Sequence, residues 1–155
     1  MTEEIINDEL VLTVPDDFKI LNTQEIILFT RKSAKDNFVI RNIEKHSAVD
    51  IAWSKTNFIN RRIPVAKMTS ITKDNIKKAN PTFKMQDNVK AEIVGCEAEG
   101  FRYTYKAKKN DVIGEYLLIK CNNSLYSFTF ISNAELFDEN YLVYEEFLKN
   151  VKLKA

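Results

Sequence analysis

Residues 113–131 read IGEYLLIKCNNSLYSFTFI, and this stretch decides the fold. Ile113 to Cys121 is apolar on both faces, as a central strand covered on both sides would be. Asn122-Asn123 is a two-residue hairpin turn, because Asn tolerates the positive φ that such turns need. Leu125 to Ile131 then returns antiparallel. That turn sets Ile119 opposite Tyr126 and Leu117 opposite Phe128. Leu117, Ile119, Tyr126, Phe128 and Phe130 therefore share one face, and Tyr116, Leu118, Leu125, Ser127 and Thr129 share the other.

Upstream, Phe101, Tyr103 and Tyr105 alternate with Arg102, Thr104 and Lys106, and Lys109-Asn110-Asp111 makes a turn. A one-residue difference in this loop moves the three aromatic residues to the opposite face. Downstream, Asp138 caps a helix whose stripe is Tyr141, Tyr144, Leu148 and Val151, with Phe147 beside it; Glu145 and Lys149 pair on its outside.

The first half of the chain is read in the same way. Residues 1–7 are expected to be a loose, flexible tail, with one domain over 8–155. Leu10, Leu12 and Val14 form a strand ended by Pro15-Asp16-Asp17. Ile26 to Thr30 and Phe38 to Ile43 read as two more strands around a turn at Ser33–Asp36. Between 46 and 80 the period changes to helical: Ser47 caps, Asp50 follows three residues on, and Val49, Ala52, Trp53 and Thr56 share a face. Pro64 breaks or restarts this helix. Thr72 or Ser70 caps a second short helix carrying Ile76 and Ala79, ended by Asn80-Pro81. The order strands, helices, strands, helix gives an α+β fold: an antiparallel β-sheet with helices packed on one face.

Composition sets the first expectations about function. Lys plus Arg number 23 and Asp plus Glu 22, so the chain lacks the overall field of a nucleic-acid or acidic-membrane binder. The short runs Arg61-Arg62, Lys77-Lys78 and Lys108-Lys109 read as solvated surface. The opening MTEEIINDEL has no basic or apolar leader region, and the apolar runs are too short to cross a bilayer. The expectation is a cytoplasmic protein with no direct membrane insertion.

Catalytic groups are scarce. His46 is the one histidine, so a His-rich metal site cannot form within the chain. Cys96 and Cys121 lack a Cys-x-x-Cys spacing and read as free buried thiols. A Cys–His nucleophile pair is formally open, as is an enzyme built on it. Three scattered glycines cannot make a phosphate loop. The pairs Glu97/Glu99 and Glu145/Glu146 read as surface. No cofactor, no metal and no enzymatic activity are expected.

Aromatic residues carry more information. Ten Phe, six Tyr and one Trp are mostly core, but the central hairpin is apolar on both faces and the expected helices cover one. Tyr116, Leu118 and Leu125, rimmed by Lys106, Lys120 and Thr129, are the candidate partner-binding residues. The alternative is that 61–80 folds over them.

Leu10–Phe18 (LVLTVPDDF), Asn80–Tyr105 (NPTFKMQDNVKAEIVGCEAEGFRYTY, with Gly95 and Ala98 as its small-residue step), Leu125–Ile131 (LYSFTFI) and the closing FLKNVKL together resemble the PsbP-like superfamily over about two-thirds of the chain. The 46–80 region is longer than the family pattern, and a lipoprotein signal common in bacterial members is not seen. The resemblance implies a sheet with flanking helices and no catalytic apparatus. It also implies a binding role, since members bind photosystem subunits, a small GTPase or, in the EagR-type secretion chaperones, apolar transmembrane segments of toxins. No motif of that last group carries over residue by residue. The expected function is an adaptor or chaperone for a secreted or membrane-associated protein partner with an apolar helical segment, with a homodimer left open. The alternative is a regulator of a small GTPase or other signalling protein using Glu97, Glu99 and Arg102.

Overall fold

A computed structural model describes residues 1–155. Its centre is the sheet built on the hairpin. β3 (Lys19–Ile20), β4 (Asn37–Asn42), β5 (Ser47–Lys55), β6 (Lys84–Ile93), β7 (Cys96–Ala107), β8 (Asn110–Cys121) and β9 (Ser124–Asn133) form it in the order β3-β4-β5-β9-β8-β7-β6. A second sheet orders β1 (Thr2–Ile6), β2 (Leu10–Val14) and β10 (Lys152–Leu153) as β1-β2-β10. Every pairing is antiparallel. Three helices, α1 (Thr23–Thr30), α2 (Val65–Ala79) and α3 (Phe137–Lys149), pack on the sheets. The α+β reading holds.

The central hairpin has the expected register, Ile119 opposite Tyr126 and Leu117 opposite Phe128, with Asn122 at φ 53° in the turn. Period-two alternation then sorts the sheet into two faces. Leu117, Ile119, Tyr126, Phe128 and Phe130 join Leu10, Leu12, Tyr144, Phe147 and Leu148 in the main core, between the two sheets and α3. In the adjacent pair Phe101 faces Tyr116. This places Phe101, Tyr103 and Tyr105 on the opposite face, the side of the sheet that carries α1 and α2, with α2 over β7. Helices therefore cover both faces of the sheet, where one face was expected.

Six local expectations are corrected. α3 begins at Phe137 with Leu136 at its N-cap and no side-chain cap, so Asp138 lies within its first turn, and the turn expected at Lys109–Asp111 falls at Lys108-Lys109, with Asn110 already in β8. The segment read as a tail contains β1, whose Ile6 is buried against Leu10 of β2. Ile26 to Thr30 is part of α1, not a strand. Its start is fixed by a reciprocal cap: Asn22 Oδ1 accepts from the Glu25 amide at 2.9 Å, and Glu25 Oε1 accepts from the Asn22 amide at 3.0 Å. Ser47 to Lys55 is strand β5, paired on both sides. Buried Val49 and Ile51 flank Asp50, and the Asp50 carboxylate accepts from the Asn37 side chain instead of capping a helix. Burial between two neighbours outweighed the helical spacing of Val49, Ala52, Trp53 and Thr56. Finally, 65–79 is one helix. Pro64 occupies its N-cap, Asn80 its C-cap, and Thr72 lies inside, its hydroxyl donating to the Met68 carbonyl at 3.0 Å.

β6 is the outermost strand on one side and slips register between Met85 and Asn88.

Candidate binding face

The six residues singled out from the sequence do not form one patch. Tyr116, Leu118 and Leu125 do meet, lining a cleft of about 400 Å³ with Met68 and Thr72 of α2. But α2 lies over them: Leu118 is buried, and Tyr116 and Leu125 are half-buried. Burial pushes the Tyr116 phenol upward, opposed by a hydrogen bond to Thr72. The middle segment thus covers the hairpin face, which was the alternative arrangement. Lys120 helps hold that cover, its Nζ donating to the carbonyls of Ile63 and Arg61 just before α2. Lys106 stands elsewhere, in a cleft of about 480 Å³ with Lys84 and Asp111. Thr129 opens into a groove that the sequence did not reveal.

This groove follows from the lengths of two helices. α1 has eight residues and covers only β4, closing a small core of Leu21, Ile26 and Val39. α2 covers β6, β7 and β8. Between them the middle of β5 and β9 has no cover, and small side chains keep the floor low: Ala52 on β5, Ser127 and Thr129 on β9. Two adjoining cavities of about 640 and 310 Å³ share Lys32, Asp50, Phe83, Tyr103 and Thr129. One wall is aromatic. Phe83, on the short connection after α2, stacks on Tyr105 at 4.4 Å and on Tyr103 at 5.5 Å.

Asp50 supplies the charge of the floor. Burial raises its carboxyl, against the Asn37 hydrogen bond and the nearby Lys32 ammonium, which both lower it. Burial also drives the Tyr103 phenol far above its ordinary range and raises that of Tyr105. A floor of small and aromatic groups with one half-buried carboxylate suits apolar side chains and hydrogen-bond donors.

The nucleophile pair fails on geometry. His46 precedes β5 beside Ser132 at one end of β9, and Cys121 faces Ser124 at the other. The length of β9, roughly 30 Å at the usual rise, separates them. Burial, with Cys96 next to it, pushes the Cys121 thiol up to about 12, the reverse of nucleophile activation. No group of three or more His, Cys, Asp or Glu is placed to hold a metal ion, and no helix is long and apolar enough to cross a membrane.

Arg102 is not a free edge residue either. β7 lies inside the sheet, and Arg102 Nη2 donates to Glu115 Oε1 at 3.0 Å. Glu115 is fully buried and also accepts from the Tyr141 hydroxyl at 3.1 and 3.2 Å. The Arg102 guanidinium stacks over the rings of Phe137 and Tyr141, 4.9 Å from each. Burial raises the Glu115 carboxyl, and Arg102 opposes it. Glu99 pairs with Lys90 at 3.6 Å. The sequence did carry a signal for Glu115: it is a carboxylate in phase with Leu117 and Ile119 on the core face.

No family model matches the chain, and no curated protein matches its sequence. Solved structures do match. Cyanobacterial PsbP (CyanoP) from Synechocystis sp. PCC 6803 aligns at a TM-score of 0.67 with 7% identity, covering 99% of this chain and 92% of that one. The chain has a PsbP-like fold. Two further solved structures agree with this chain in fold. LpqN of Mycobacterium tuberculosis, involved in cell envelope biogenesis, gives 0.62 with 15% identity over 94% of this chain and 83% of its own. The Saccharomyces cerevisiae Ran-binding protein Mog1p gives 0.60 with 10% identity over 99% and 96%. The identities are low, so the likeness to PsbP-like proteins is one of fold, and function has to be argued from this chain's own groove.

Proposed function

We propose that the chain is a non-enzymatic protein-binding module, an adaptor or chaperone, whose partner lies in the groove between α1 and α2. The carrying observation is the uncovered middle of β5 and β9, floored by Ala52, Ser127 and Thr129 and walled by Phe83 and Tyr103. The occupant is an apolar helical segment of a secreted or membrane-associated protein, laid with one side in the groove. The low floor admits its side chains, and Asp50 accepts a hydrogen bond from a donor on its flank. That a protein of the same fold is Ran-binding supports a binding role. A partner reading Glu97, Glu99 and Arg102 is disfavoured, because Arg102 is engaged by Glu115.

The test is photo-crosslinking in the native cell with a probe at Thr129 and a control probe at exposed Leu142 on α3. The reading requires a protein captured at Thr129, not at Leu142, and lost when Ala52→Trp or Thr129→Arg fills the floor of a chain that still melts normally. Capture unchanged by both fillings would remove the groove as the site.

A further inference from the structure

A second surface stands apart from the groove. Residues 51–73 contain Lys55, Arg61, Arg62, Lys67 and Lys73 and no Asp or Glu. The overall charge is +1, so the rest of the chain is net acidic and the cations are segregated. None of the five makes an ion pair. In the middle of this segment Phe58 and Ile59 are 71% and 66% exposed, although adjacent large apolar residues are normally covered.

The connection between β5 and α2 holds these two side chains outward. Asn57 Oδ1 accepts from the amides of Ile59 and Asn60 at 2.9 and 2.8 Å, and a single 3-10 turn follows at Asn60–Arg62. The Thr56 amide donates to the Asn123 carbonyl at 2.8 Å. Lys120 donates to the carbonyls of Arg61 and Ile63. The Arg62 guanidinium lies 4.3 Å from the centre of the Phe58 ring. The apolar pair is therefore presented on a braced turn.

We infer that this turn, with the start of α2, is a docking tip for an anionic lipid surface. Phe58 and Ile59 enter the boundary between headgroups and acyl chains, while Lys55, Arg61, Arg62 and Lys67 stay among the phosphates, with the Arg62 guanidinium beside the Phe58 ring. Lipid is the occupant because the tip projects: neither Phe58 nor Ile59 lines the cavities of the sheet faces, so a protein partner would have to supply the whole pocket, whereas a soft planar phase needs none. Charge complementarity points the same way. Glu9, the carboxylate by the neighbouring hairpin turn, is occupied by Asn122 and Tyr126. A weak apolar insertion and a basic surround are the two signals that reversible membrane binding combines.

The experiment is flotation of the full chain with vesicles of phosphatidylcholine alone and of equal parts phosphatidylcholine and phosphatidylglycerol. The chain should float with the mixed vesicles, not with phosphatidylcholine, and be released by high salt. Phe58→Ser with Ile59→Ser, and separately Arg61→Glu with Arg62→Glu, should each lower the partition coefficient about tenfold or more. Leu142→Ser, an exposed apolar residue on α3, should change nothing. All these positions are exposed, and unchanged thermal melting checks the fold. No flotation with anionic vesicles overturns the inference. So does retention of binding by the Phe58/Ile59 variant, which would mean a purely electrostatic surface. Tighter binding to polyglutamate than to the vesicles would also overturn it, assigning the tip to an acidic protein.

Discussion

Replacing Arg102 with methionine tests the charge beneath α3. Methionine keeps most of the apolar stem and removes the guanidinium. The Glu115 side chain is 1% exposed and that of Arg102 30%, so the variant leaves a buried carboxylate whose remaining donor is the Tyr141 hydroxyl. Breaking a buried pair by deleting one partner costs ~3–5 kcal/mol, and the partial exposure of Arg102 places the loss near the lower end, about 3 kcal/mol at pH 7. Burial holds the Glu115 carboxyl above its ordinary value of 4.5. The folded chain thus binds that proton more tightly than the unfolded chain, and the Glu115 contribution to stability is full below the ordinary pKa and lost as pH rises through the folded one. Near pH 4 Glu115 is protonated in wild type and variant alike, and the difference should shrink to about 1 kcal/mol, the contribution of the cation over the Phe137 and Tyr141 rings. Urea unfolding of both chains at pH 7 and pH 4 measures this directly. An equal loss at the two pH values would refute the electrostatic account and leave packing as the role of Arg102.

Three further outcomes are expected. Burial also raises the Asp50 carboxyl above 3.8, so its contribution likewise falls as pH rises; Asp50→Asn should make the chain more stable than wild type at pH 7 and indistinguishable near pH 3 in urea titrations. A Cβ on Gly100 would lie 1.7 Å from the Tyr116 carbonyl oxygen, which only a shift of β8 can relieve, so Gly100→Ala should lose about 3 kcal/mol or more and lower the soluble yield. With Cys121 buried and its thiol pushed up to about 12, iodoacetamide should modify Cys96 first and Cys121 about tenfold or more slowly, as peptide mass spectrometry would read.

The sequence was most legible where the side-chain period and the turn chemistry agreed. Asn122-Asn123 set the register of β8 on β9 (Cys121 opposite Ser124), and that register sorted the Leu117 and Tyr116 faces correctly. It was least legible where a local signal competed with distant burial. Val49 and Ala52 have helical spacing, yet β4 and β9 bury Ser47–Lys55 from both sides, which nothing within those nine residues announces. Ile26–Thr30 is apolar and short enough for a strand; the deciding signal was the Asn22–Glu25 cap just upstream. The groove at Thr129 was invisible for another reason: it is the space left between two helices, one of which was not expected. Glu115 was legible as a charge in phase with Leu117 and Ile119, but the face of Arg102 and its contact with Glu115 needed the β7–β8 register.

The outermost strand β6 sets a limit on how these molecules meet one another. Its solvent side carries Lys84, Asp87, Lys90 and Glu92, and its register slips between Met85 and Asn88. Charges and a local irregularity of this kind frustrate edge-to-edge strand addition. The opposite edge, β3, is two residues long, too short a template for a neighbour. With both borders of the large sheet blunted, chains at high concentration are kept from zipping that sheet into a continuous ribbon.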